Sequence, residues 1–305
     1  MKAFTALVHR EFIEHRGAFF IGPLLLLGVI FALVILAFTV GRVDVHFSGA
    51  MLTVAPLRVY EVGFLGLGIG WALYLTATLF FYCADGFAAD KRNNAMLFWK
   101  SMPVSDFKVL LSKLTAAVTL LPFTVFGIAL LSGLILFTIA FVAMQINGTA
   151  SAAVLGDIIG IYGQVGIALF TVLVSGLLWY LPFMAMVGAI ATLVGRWAIP
   201  ITLLLPTIIS TLEWVTLGGL HPFATHVWRY LEFRAAVPRS AYSDAWFAAL
   251  ERSDGATVLA GRFDGLRFAS GLLSSLDWTQ VGIGLVFALA AVYAASEYRR
   301  RVNDN

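Results

Sequence analysis

CADGFAADKRNNAMLFWKSMPVSDFKVLLSKL, residues 83–114, is a long polar interruption in a very apolar chain. It carries Lys91, Arg92, Lys100, Lys108 and Lys113, and apolar runs long enough to cross a bilayer flank it on both sides. Nothing in 90–100 breaks a helix, and the stretch passes from Asp90 and the amides Asn93 and Asn94 into Met96, Leu97, Phe98 and Trp99. Pro103 ends it, because proline lacks an amide hydrogen and pushes Met102 out of the helical region. Ser105 is placed to cap the next helix, with Asp106 in its first turn. The expectation is a short helix, a proline turn and a capped helix that runs up into the membrane. Such a knob is shaped to press against another molecule.

Composition fixes the setting. The chain is 60% hydrophobic and 12% charged, and its mean hydropathy is +0.91. Soluble domains carry about a quarter charged residues, so this is an integral membrane protein. A net charge of +3 needs no nucleic acid to explain it, since basic residues retained on the cytoplasmic side give the same balance. The single cysteine, Cys83, excludes an internal disulfide and any multi-cysteine metal site, and it reads as a small buried hydrophobe.

Six spans follow by length, at about 20 apolar residues per crossing. They are expected at 18–40, 63–83, 114–142, 159–194, 198–218 and 278–295. Residues 1–17 place Phe4, Leu7, Val8, Phe12 and Ile13 opposite Arg10, Glu11, Glu14 and Arg16, the pattern of a helix lying in the membrane surface. The run at 18–40 exceeds a signal-peptide core of about 7–15 residues and ends without a cleavage pattern, so it reads as a retained first span. Pro182 is a candidate kink in span four, and Pro200 and Pro206 suggest that span five is broken rather than a clean rod. With both termini inside, twelve of the twenty lysines and arginines fall in short inner segments, all five lysines among them. Both termini and the segment 84–113 are therefore expected to be cytoplasmic.

Several motifs are weighed against chemistry. GFLGLGIG, residues 63–70, follows no strand, and its Gly66 and Gly70 have the small-xxx-small spacing of packed membrane helices. The phosphate loop GxxxxGK[ST] is absent from the sequence, so the chain is not expected to hydrolyse nucleotide itself. No HExxH occurs, and His221 and His226 are five apart, off the spacing of zinc-binding pairs, so no metal site is expected. Glu213 is the one acid inside an apolar span. It either lines a substrate or proton path or reaches the outer interface beside Trp214. The loop 219–277 is rich in aromatics and reads as two short helices on the outer leaflet or as a lid over an exit path. Ser243 and Asp244 are placed to cap the second of these.

DKRNNAMLFWKSMPVSDFKVLLSKL, residues 90–114, resembles the segment between spans two and three in type-2 (ABC-2) permeases of ATP-binding-cassette exporters. Asp90, Arg92, Leu97, Pro103, Val104, Ser105, Lys113 and Leu114 carry the resemblance. Asn93-Asn94-Ala95 stands where that family commonly has a glutamate–glycine pair, which suggests a divergent branch. The resemblance implies an all-α integral membrane protein of a bacterial inner membrane. It implies six transmembrane helices, an N-terminal interfacial helix and a cytoplasmic coupling helix between spans two and three. It also implies a dimer, with an identical copy or a paralogue, driven by a separate ATPase that binds ATP and Mg. The chain itself holds no cofactor, and lipids are its other partners. Asp90, Lys91, Arg92, Met96, Leu97, Phe98, Trp99, Lys100 and Pro103 would seat on that ATPase; Phe98 and Trp99 are either anchors there or members of the headgroup belt. The alternatives are an ion- or proton-coupled secondary transporter using Glu213, and a membrane enzyme or assembly factor.

Overall fold

A computed structural model describes residues 2–40, 51–92, 105–146, 152–218, 221–236, 238–252 and 262–304. Among them there is no strand, and six helical stretches are long and apolar enough to cross a membrane. The chain begins with α1 (Lys2–Arg16), which continues through a π-helical turn at Gly17–Ile21 into α2 (Gly22–Thr39). The π turn widens the helix, and the Tyr74 hydroxyl donates to the Ala18 carbonyl at 2.6 Å. The boundary expected at residue 17 is thus a change of helical winding, not a break.

The second span is α3 (Met51–Arg92), far longer than the expected 63–83. The third divides into α4 (Asp106–Val118) and α5 (Leu120–Ile146), with Thr119 between them at φ −123°, ψ −94°. Pro122 explains the break: it has no amide to give the Val118 carbonyl, and its ring crowds that carbonyl. Ser105 takes the capping position ahead of α4 but makes no side-chain capping bond. The fourth span is α6 (Ala152–Val194), unbroken through Pro182. A tight turn at Gly195, whose φ of +59° suits glycine, leads into α7 (Ala198–Leu217). That helix is continuous through Pro206, contrary to the expected broken span.

Three short helices follow: α8 (His226–Ala235), α9 (Ala241–Arg252) and α10 (Gly265–Ser275). The last span is α11 (Trp278–Asp304). At α9 the expected cap is displaced by three residues. Ser240 takes the capping position, and Ser240 and Ser243 bond each other's backbone amides at 3.0 and 3.2 Å.

At 1.5 Å per residue, α3 and α6 are each more than 60 Å long, about twice the hydrocarbon thickness. They run parallel, with Phe64 stacked on Tyr162 at 5.5 Å and Phe87 lying against Gly188. A Cβ at Gly188 would stand 2.9 Å from the Phe87 ring, so only glycine allows this approach. The main core joins α1, the π turn, α2 to α7 and α11 around Phe19, Trp71, Leu79, Tyr82, Leu121 and Val292. A second core surrounds Tyr60, Phe64, Ile158, Val165 and Phe263, where α3 and α6 begin. The bundle thus has a near end, with the end of α3, the start of α4 and the turn at Gly195, and a far end carrying the second core. Phe107 meets Tyr293 at 6.3 Å, which places the C-terminal part of α11 at the near end.

Candidate functional site

The near end holds the two attachment points of the segment singled out by sequence. Asp90, Lys91 and Arg92 form the last turn of α3, continuous with the span rather than the start of a separate helix. Met96, Leu97, Phe98, Trp99, Lys100 and Pro103 lie outside the described residues. The chain resumes at Ser105, and α4 buries Val109, Leu110, Ser112, Lys113 and Leu114.

Lys113 is buried because its partner is. Its Nζ lies 2.9 Å from Glu11 Oε1, and each residue is less than 5% exposed. The Tyr82 hydroxyl of α3 lies 2.9 Å from Glu11 Oε2 and 3.2 Å from the Lys113 carbonyl. His15 packs edge-on against the Tyr82 ring at 4.7 Å. Helices α1, α3 and α4 are therefore joined by one buried polar knot at the near end. Charges this deep are tolerated only when paired and hydrogen-bonded.

The sequence reading placed Glu11 on the exposed face of a surface helix, and the structure corrects this. Leu7, Val8 and Glu11 form the buried stripe of α1. The signal was available, since Glu11 is four residues after Leu7 and three after Val8. Lys113 stands in the same relation to Val109 and Leu110. Glu14 and His15 bring ligand atoms within 4.8 Å of Glu11. That donor set does not fit a metal: Glu11 is held by Lys113, and Glu14 by Arg10 at 2.6 Å. A cation would have to displace an ammonium and a guanidinium.

Glu213 sits in α7 four residues from its end. Its Oε1 accepts from the His226 amide at 2.9 Å and lies 2.8 Å from His226 Nδ1, while Oε2 accepts from the Val227 amide at 3.1 Å. This is an anion on the N-terminus of α8, satisfying amides that have no partner within the helix. Ser210 and Thr225 bond beside it at 2.5 Å. The opposite end of α8 is tied to α6: Trp179 Nε1 donates to the Arg234 carbonyl at 2.9 Å, and Arg234 Nη2 donates to the Trp179 carbonyl at 2.9 Å. Tyr230 donates to Gln280 of α11 at 3.3 Å. Helix α8 is a strap across three spans, and Glu213 fastens its beginning.

At the far end Glu61, 2% exposed, pairs with Arg58 and accepts from the Phe263 amide at 2.6 Å. Gln164 Oε1 accepts from the amides of Gly265 and Leu266 at 2.8 and 3.3 Å. Gly265 lies so close to the Gln164 backbone that no Cβ fits. The segment entering α10 is thereby clasped onto α3 and α6. Neither Arg58 nor Glu61 is singled out by sequence, because both fall before the expected start of the second span at 63. No family model, curated protein or solved structure matches the chain.

Proposed function

We propose that this chain is the transmembrane permease subunit of an ATP-binding-cassette exporter, driven at segment 84–113 by a separate ATPase. The observation that carries the reading is the base of that segment. Residues 93–104 are joined to the last turn of α3 on one side and to α4 on the other. Glu11, Tyr82 and Lys113 lock α1, α3 and α4 together at the same end of the bundle. A push on 93–104 therefore acts on three helices that move as a unit, which is what contact-driven transport requires of a chain without a nucleotide motif. The sequence resemblance and the lysine-rich character of 84–113 support the same reading, with this end in the cytoplasm of a bacterial inner membrane.

In this proposal Asp90, Lys91 and Arg92 extend the span towards the ATPase, and 96–103 supplies the contact. In the same reading Glu213 serves to fasten α8, its carboxylate engaged by two amides and His226. Co-purification tests the proposal: a detergent extract of tagged chain should bring an ATPase with it, and Trp99→Asp should release that ATPase while the chain still inserts. An active transporter reconstituted alone under an ion gradient would refute it.

A further inference from the structure

Arg234 is 1% exposed and lies among Trp179, Pro182 and Gly284. Three of the other buried charges have an ionic partner: Glu11 and Lys113 pair with each other, and Glu61 pairs with Arg58. Among the described residues no carboxylate pairs with Arg234. Its Nη2 donates to the Trp179 carbonyl, and its guanidinium carbon stands 4.3 Å from the centre of the Trp179 ring. Its Nη1 is buried with no hydrogen-bond partner.

The depth can be worked out from the helices. Trp179 precedes Val194 by fifteen residues, and Gly284 precedes Arg299 by fifteen, so each is about 22 Å from the near end at 1.5 Å per residue. Arg234 is thus packed between the spanning helices α6 and α11, about 22 Å along them from the near end. Among the described residues this positive charge is met by one carbonyl and one aromatic face, both of Trp179, which packs with Leu276 and Val281. Buried charges are ordinarily paired, and one enclosed between spanning helices without a carboxylate is a group whose partner should be sought. The guanidinium fork matches a phosphate or carboxylate in a way no neighbour here supplies.

We infer that Arg234 is the recognition point for the anionic headgroup, phosphate or carboxylate, of an amphiphile. Its apolar tail lies along the exposed face of α11 at Ile283 and Phe287, which borders Gly284. Nη1 is enclosed in the present conformation, so the headgroup reaches it when α8 parts from α11 at the Tyr230–Gln280 bond. The anion replaces an uncompensated charge by a paired one, so the ligand itself favours the parted form. The inference goes beyond the exporter reading and does not require an ATPase.

Native mass spectrometry of the purified chain in a neutral detergent tests it, with dodecyl phosphate as the probe. Dodecyltrimethylammonium, a neutral dodecyl maltoside and inorganic phosphate are the comparison arms. One saturable dodecyl phosphate is expected. Arg234→Gln should weaken it roughly tenfold to a hundredfold, the loss of a charge-assisted bond, while Arg234→Lys keeps part of the affinity. Gly284→Val retains the charge but fills the space beside it, and should weaken binding as well. It decides the matter on the same criterion if Arg234→Gln does not survive purification. Wild-type affinity in both Arg234→Gln and Gly284→Val overturns the site. Equal binding of the cationic or neutral amphiphile overturns it too, and inorganic phosphate competing as strongly as dodecyl phosphate overturns the amphiphile assignment.

Discussion

Replacing Lys113 by methionine tests the knot at the near end directly. The change keeps the volume of the side chain and removes the ammonium 2.9 Å from Glu11. Breaking a buried pair by deleting one partner costs about 3–5 kcal/mol, because the remaining charge is left without compensation. Tyr82 still reaches Glu11 Oε2 and relieves part of this, so the lower end of that range is expected. The double variant Glu11→Leu with Lys113→Met should recover most of the loss, since a well-packed apolar pair commonly matches or exceeds a buried ion pair. The Tyr82 hydroxyl keeps an acceptor in that variant, the residue-113 carbonyl at 3.2 Å. Arg10→Ala is the internal control: the Arg10 and Glu14 side chains are about 40% exposed, and such a pair contributes only about 0.3–0.5 kcal/mol. The assay is a double-mutant cycle on denaturant unfolding in detergent, read by a probe on α1. A cost for Lys113→Met no larger than for Arg10→Ala would show that the pair is solvated, and the account of three helices moving together would fail. A double variant as unstable as the sum of the singles would refute the pairing itself.

Two further variants probe the other anchors. Glu61→Leu should cost about 1–3 kcal/mol by leaving the buried Phe263 amide unsatisfied, and hydrogen exchange there should accelerate; unchanged exchange would deny the clasp. Glu213→Ala should speed exchange of the His226 and Val227 amides selectively, and slow exchange in the variant would remove Glu213 as the fastener of α8.

The apolar spans were legible because twenty or so apolar residues in a row have few other fates. Their true ends were not. LRVYEV at 57–62, with its charged Arg58 and Glu61, falls before the expected start of the second span at 63, yet α3 runs through it. The two charges satisfy each other and the Phe263 amide, so nothing local opposes the helix. The break at Thr119 was open to reading from Pro122, whose effect falls four residues earlier. The continuity of α7 was not, because neighbours decide whether a proline in a membrane helix breaks it. Glu213 stands out in the sequence as the one acid inside an apolar span. Its role needed the start of α8, thirteen residues on and folded back against it.

Hydropathy and the spacing of apolar residues alone determined that this chain is a six-span helical membrane protein with a lysine-rich segment between its second and third spans. Tertiary structure alone decided which charges lie inside. Glu11 finds Lys113 across 102 residues, Glu61 finds Phe263 across 202, and Arg234 finds Trp179 across 55. A pattern along one helix says which way a side chain faces, but burying a charge depends on the group opposite, and folding supplies that group from elsewhere in the chain.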